Sequence, residues 1–153
     1  MLVLGIHCGF SIHTHEPGAA LSLNGKIIAC CEEERYLRNK TALGMLPNNS
    51  INKVLKISKK KFEQIDLIVS TGITKKNYKK ILQKYFRKFF GSCPKIMIID
   101  HHLAHISSSF FSSGLKESAC LSLDAFGDRK SGLIAEASLK NGIKIIKYLK
   151  KDL

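Results

Sequence analysis

The sequence predicts an α/β fold built on a mixed sheet with helices on its faces. Two observations carry that expectation. Asn24-Gly25 and Asn141-Gly142 each lie between short apolar runs, the strongest short-range hairpin signal. Between these hairpins, helix-period stretches alternate with short apolar runs, as in strand–helix–strand units. At 153 residues, 44% apolar and 24% charged, the chain is about the size of one domain and shows no internal linker.

Leu2 to Ile6 reads as a buried first strand, followed by a polar loop from Cys8 to Gly18. Ala19 to Leu23 and Ile27 to Cys31 flank Asn24-Gly25 as an antiparallel pair. The charged segment EEERYLRNKTALGM reads as a loop, and Pro47 with Asn49 or Ser50 opens a helix to about Ile57. Ile65 to Ser70 is the next strand. Thr74 is the expected N-cap of a helix ending at Phe90, with Gly91 as its stop. Tyr78, Ile81, Leu82, Tyr85, Phe86, Phe89 and Phe90 form its apolar stripe, with the lysines opposite. Pro94 to Ile99 reads as a strand, and Asp100 as the cap of a helix that carries His101 and His105. Ala119 to Leu123 runs as a strand into Asp124. Leu133 to Ser138 and Ile143 to Tyr148 form the second hairpin.

Bulk properties narrow the function. No apolar run reaches the roughly 18 residues of a membrane span, and MLVLGIHCGF has neither a basic leader nor a cleavage site, so no signal peptide is expected. Five cysteines without a CxxC pair fit a reduced, cytoplasmic setting. The net charge is +13, with 12 Lys/Arg against 2 Asp/Glu in residues 51–90. Only 4 of the 25 basic residues are Arg, whereas phosphate and base readers lean on Arg. A solvated basic face is therefore expected, with a nucleic-acid partner as a third-ranked alternative.

His101 and His105 are four apart, the spacing that puts two side chains on one helix face. Asp124 at a strand end can reach the same point from a separate element. The set N, N, O suits a borderline divalent metal such as Fe(II) or Zn(II) and leaves open positions. The same residues also fit a hydrogen-bonded histidine pair at a helix start, with Asp124 capping a turn. Gly127-Asp128 just behind can form a turn whose N–H groups cradle a phosphate, or an ordinary Asx/Gly turn. In the first loop, His13, His15 and Glu16 offer a histidine beside a carboxylate, suited to general-base work or merely solvated. Arg35 after the Glu32–Glu34 run can grip an anion or sit on a solvated edge. Ser107 to Ser113 show no nucleophile elbow and read as small packing residues.

Taken in order, VLGIHCG, HEPGAALSLNGKIIACCEEERYLRNK, LPNNSINKVL, DHHLAHISSSFFSSG and LSLDAFGD resemble the N-terminal domain of the carbamoyltransferase family. That family includes nodulation carbamoyltransferases and O-carbamoyltransferases of antibiotic biosynthesis. The resemblance implies a ribonuclease-H-like lobe of an actin-like ATPase fold, similar to the metal-binding subunit of the tRNA threonylcarbamoyl-adenosine machinery. It implies His101, His105 and Asp124 as ligands to a divalent metal, commonly Fe(II). It implies Asp124, Gly127 and Asp128 at the bound carbamoyl-adenylate, and His15 as the group that activates an acceptor hydroxyl. In the family, a C-terminal domain makes carbamoyl-adenylate from carbamoyl phosphate and ATP, and AMP leaves on transfer. This chain departs in having His15-Glu16-Pro17 where the family has His-Asp, and Asp124-Ala125-Phe126-Gly127 where it has Asp-Gly-x-Gly. The second lobe, a further metal-ligating aspartate and the adenylate-forming domain are absent from residues 1–153, so the chain is expected to be the N-terminal lobe of a split or truncated enzyme, inactive alone, with a second chain as a candidate source of the missing lobe. The alternative class is a non-catalytic binding or scaffold module that keeps the fold.

Overall fold

A computed structural model describes residues 1–7 and 15–150; His13, with the rest of the first loop from Cys8 to Thr14, lies outside them. Contacts divide the chain into two compact units, residues 1–70 with 77–98 and residues 71–76 with 99–153. The sequence shows no linker because both crossings out of the first unit fall at the ends of strands, Thr71 and Ile99.

The first unit carries β1 (Leu2–His7), β2 (Gly18–Leu23), β3 (Lys26–Glu32), α1 (Glu34–Leu37), α2 (Asn48–Ile57), β4 (Leu67–Thr71), α3 (Tyr78–Phe90) and β5 (Lys95–Ile99). The strand order is β3-β2-β1-β4-β5. β1 pairs antiparallel with β2 and parallel with β4, so the sheet is mixed, as the sequence predicts. Asn24 and Gly25 have φ of 49° and 82°, the pair of positive values that a two-residue hairpin turn requires.

Alternation along β1 decides where the core lies. Leu2, Leu4 and Ile6 are buried and share one cluster with Leu21, Ile68, the α2 residues Ile51 and Val54, and the α3 residues Leu82 and Phe86. Full burial of each such side chain contributes about 1.5–3 kcal/mol. Within this unit both long helices thus pack on the same face.

Two local expectations change. The segment after β3 contains α1 and a 3₁₀ turn at Lys40–Ala42 instead of a plain loop. α3 begins at Tyr78 after Asn77, whose φ is 56°, so Thr74 is not its N-cap. The left-handed Asn77 breaks the helical path between them.

α2 starts after Pro47 with no cap from its own N-cap side chain. The buried carboxylate of Glu33 takes that role from across the unit. It accepts from Asn49 N (3.1 Å), Asn49 Nδ2 (2.6 Å), Ser50 N (2.8 Å) and Ser50 Oγ (2.7 Å). A carboxylate there satisfies first-turn donors and complements the positive end of the helix dipole.

In the second unit, β6 (Glu117–Gly127), β7 (Lys130–Ser138) and β8 (Gly142–Leu149) form an antiparallel sheet in the order β6-β7-β8. This meander repeats the connectivity of β1-β2-β3. Its second hairpin has a three-residue loop, Leu139 to Asn141, closed by Ser138 paired with Gly142 at φ 77°. α4 (His101–Ser112) packs Ile106 against Leu133 and Ala135.

Replacing Glu33 with Ala strands the Ser50 donors in a buried site. The expected loss is about 3 kcal/mol of unfolding free energy, measured by urea denaturation of parent and Glu33→Ala; a change under ~0.5 kcal/mol would remove Glu33 from this role.

Candidate metal centre

The second unit brings His101, His105 and Asp124 together. Two periodicities do this. Along β6, Ser122 is buried while Leu121 and Leu123 are 60% and 68% exposed, so Ser122 and Asp124 share the face turned to α4. Along α4, His101 and His105 stand one turn apart, their ring centroids separated by 4.5 Å. His101 Nε2 lies 2.7 Å from Asp124 Oδ2, His105 Nε2 lies 3.7 Å from the same oxygen, and the two Nε2 atoms are 2.9 Å apart. All three candidate ligand atoms fall within 4.8 Å of one another. Ligands about 2.1 Å from an ion stand roughly 3.0–3.4 Å apart in octahedral or tetrahedral arrays, so the observed separations bracket what a divalent cation needs.

Protonation agrees. The hydrogen bond from His101 holds the Asp124 carboxyl below the usual carboxylate range. Burial, aided by the neighbouring His101, holds the His105 imidazole below its ordinary value. At neutral pH the aspartate is therefore ionised and His105 neutral, the states a metal ligand requires. The donor set thus fits a divalent metal.

The helix start that presents His101 is held from two sides. Asp100 caps α4, accepting from Leu103 N at 3.1 Å. Asp128 Oδ2 accepts from His101 N at 2.9 Å, and its other oxygen accepts from Thr74 Oγ1 at 2.9 Å. Asp128 and Arg129, at φ 47° and 64°, form a two-residue hairpin turn between Gly127 and Lys130. β6 therefore runs past Asp124 to Gly127, with its pairing interrupted between Leu123 and Gly127, instead of ending at Asp124 as the sequence predicts.

His102 is a structural member that the spacing argument passes over. It is fully buried, with Nε2 donating to the Lys130 carbonyl at 3.2 Å and Nδ1 hydrogen-bonded to Ser122 Oγ at 3.0 Å. Both ring nitrogens therefore have partners. The sequence signal was there: His102, Ile106 and Phe110 recur every four residues and are all buried. Lys130 adds a further tie, with Nζ 2.6 Å from Asp100 Oδ2 and 3.5 Å from the Tyr148 ring centroid.

His15 belongs to the first unit and stays exposed, its Nδ1 3.4 Å from Glu16 Oε2. Arg35 likewise sits on an exposed edge, its Nε 3.0 Å from Glu32. Glu33, read from the sequence as part of a solvated charge run, is instead buried at α2.

The family described as "Carbamoyltransferase N-terminus" matches residues 6–92. This chain belongs to the carbamoyltransferase N-terminal family. It is 31% identical to nodulation protein NolNO of Sinorhizobium fredii over 90% of its own length and 25% of the relative's. It is 29% identical to an uncharacterized protein of Methanocaldococcus jannaschii over 95% of its length and 26% of the relative's. The chain thus spans about a quarter of the length of the curated relatives it matches. Among solved structures it is similar to YeaZ from Pseudomonas aeruginosa, with a TM-score of 0.52 at 12% identity, covering 97% of this chain and 67% of that one. That likeness supports the ribonuclease-H-like α/β fold. The family match ends before His101, so the candidate metal centre stands on its own geometry.

The Asp100–Lys130 pair yields a pH-dependent expectation. Burial pushes the Asp100 carboxyl up, but the Lys130 ammonium and the Leu103 N–H outweigh it and hold it below its ordinary value. Burial pulls Lys130 down, but Asp100 outweighs it and raises the ammonium. The stabilisation from Asp100 is present above the ordinary carboxylate pKa of ~3.9 and is lost as pH falls through the lower folded value. The contribution of Lys130 is present below ~10.4 and is lost as pH rises through the raised value. Lys130→Met should cost roughly 2–3 kcal/mol at pH 7, and the gap to the parent should narrow in acid. Denaturation at pH 7 and pH 3 measures both; a gap independent of pH would contradict the pairing.

Proposed function

We propose that this chain supplies the metal-binding part of an O-carbamoyltransferase that moves a carbamoyl group from carbamoyl-adenylate to the hydroxyl of a small-molecule acceptor. The observation that carries the proposal is the convergence of His101, His105 and Asp124 in a chain of the carbamoyltransferase N-terminal family. These three residues would hold a divalent metal, with Fe(II) the metal the resemblance implies. Such an ion supplies positive charge that stabilises negative charge developing on carbamoyl and phosphate oxygens.

His15 would take the proton of the acceptor hydroxyl. The Glu16 carboxylate beside its Nδ1 orients the ring, and the Glu16 N–H is anchored on the Thr41 carbonyl at 2.6 Å. Asp124 would face both metal and adenylate. The adenylate contact proposed for Gly127 and Asp128 runs through backbone N–H groups of their turn, because the Asp128 carboxylate already accepts from His101 and Thr74.

Relatives about four times as long support a site shared with further sequence. That sequence, whether continuous or a second chain, would make the adenylate from carbamoyl phosphate and ATP. A cytoplasmic setting is part of this proposal. It is supported by free thiols at Cys30, Cys31, Cys93 and Cys120. Among the described residues no helix is long and apolar enough to cross a membrane.

Two measurements test the proposal. The purified chain should bind Fe(II) or Zn(II) at about one ion per chain, with affinity lost in His101→Ala and His105→Ala. Unchanged binding in both variants would turn the reading toward a non-catalytic module. With carbamoyl phosphate, ATP and a hydroxyl acceptor, residues 1–153 alone should release negligible AMP; sustained turnover would refute the shared site.

A further inference from the structure

We infer that Gly127 and Asp128 are positioning residues for His101, in addition to any contact their turn makes with a ligand. The glycine leaves the space that the imidazole fills, and the aspartate holds the backbone N–H from which that side chain springs. The expected effect on metal affinity rests on the metal-site reading above; the placement of His101 itself does not.

Gly127 is buried and its φ is not positive, so a left-handed backbone does not explain the glycine. Packing does. A Cβ built there would lie 2.6 Å from both Cγ and Nε2 of His101 and closer still to Cδ2. Real Cβ contacts of that length do not occur, so either the ring or the strand must move. The colliding atoms belong to a ring fixed by its own bonds. Nε2 is 2.7 Å from Asp124 Oδ2, and the ring stands at 85° to His102 and 77° to His105. A displaced ring carries Nε2 away from the point where Asp124 and His105 meet it.

Asp128 acts on the same residue through the main chain. Its carboxylate bridges Thr74 Oγ1 and His101 N, fixing the first helical residue of α4. A helix start usually frays because its first N–H groups lack partners; here His101 has a charge-assisted one. The bond also helps to hold Asp128 and Arg129 in their left-handed turn, a backbone region unfavourable for non-glycine residues. Gly127, Asp128 and the first residue of α4 thus form one interlocked corner, and the histidine ligand is what they enclose.

The full chain tests this with variants Gly127→Ala, Asp128→Ala and Asp128→Asn, and Ala125→Ser at an exposed position of the same strand as control. Without metal, NMR should show ring-to-ring NOEs between His101 and His105 and a slowly exchanging His101 amide in the parent. Gly127→Ala should lose the NOEs, and Asp128→Ala the amide protection. Asp128→Asn, which keeps one oxygen acceptor, should retain part of that protection. Added Co(II) should bind Gly127→Ala and Asp128→Ala about 10–100-fold more weakly than the parent and the control. A Gly127→Ala chain that keeps both the NOEs and parental Co(II) affinity overturns the inference. If that variant does not fold, equal amide protection in Asp128→Ala and parent overturns it instead. A parent that binds no Co(II), with the NMR losses still confined to the variants, supports the positioning role and sinks only the metal reading.

Discussion

Two aspartates close the N-terminal turn of α4, and the geometry of the candidate centre depends on them. Asp100 precedes the helix and caps it locally; Asp128 returns from the β6–β7 turn and accepts the His101 N–H. Negative charge at this end of the helix is favourable in itself. Its structural consequence is larger. With the first turn fixed, the 3.6-residue repeat places His105 beside His101, and the 2-residue repeat of β6 brings Asp124 to meet them.

The ties around that corner divide their work. His102 and Ser122 join helix to sheet beneath the exposed histidine pair, using a buried imidazole with both nitrogens bonded. Lys130 connects the same turn to the Asp100 cap, so one lysine supports both the helix start and, through its carbonyl, the buried ring. The outward-facing side chains, His105 and Asp124, are left partly exposed, as groups that meet a ligand must be. A rigid buried layer beneath an accessible one is the arrangement that lets a metal site keep its geometry while open to solvent.

The first unit builds a different kind of platform. Its core uses one face of the sheet, and Glu33 reaches from the end of β3 to cap α2. The opposite face carries Gly5, Gly18 and Ala20 and supports no helix of this unit. The exposed His15 belongs to this unit and the candidate metal ligands to the other.

Much of this was legible in residues alone. Asn-Gly turns, the apolar stripe of α3 and the Asp100 cap are local features, set by interactions within a few residues; the structure keeps the turns and the cap, and buries Tyr78, Leu82, Tyr85 and Phe86 of the stripe while Ile81 and Phe89 stay exposed. The HxxxH spacing likewise names two partners on one helix face before any fold is known. Thr74 and Glu33 show where local reasoning fails. Each has the chemistry of a cap or a solvated charge, yet Thr74 bonds to Asp128, 54 residues away, and Glu33 to Ser50, 17 away. No propensity encodes such a partner. The glycine at 127 is similar: a turn residue in the sequence, it is a packing surface for His101 in three dimensions. The sequence by itself determined the main strands and long helices, the hairpins and the identity of the candidate ligands, because those follow from short-range periodicity and residue chemistry. Only the tertiary structure decided that Asp124 reaches the histidines, that His102 is buried between helix and sheet, and that both long helices share one face, because each depends on how elements distant in sequence pack.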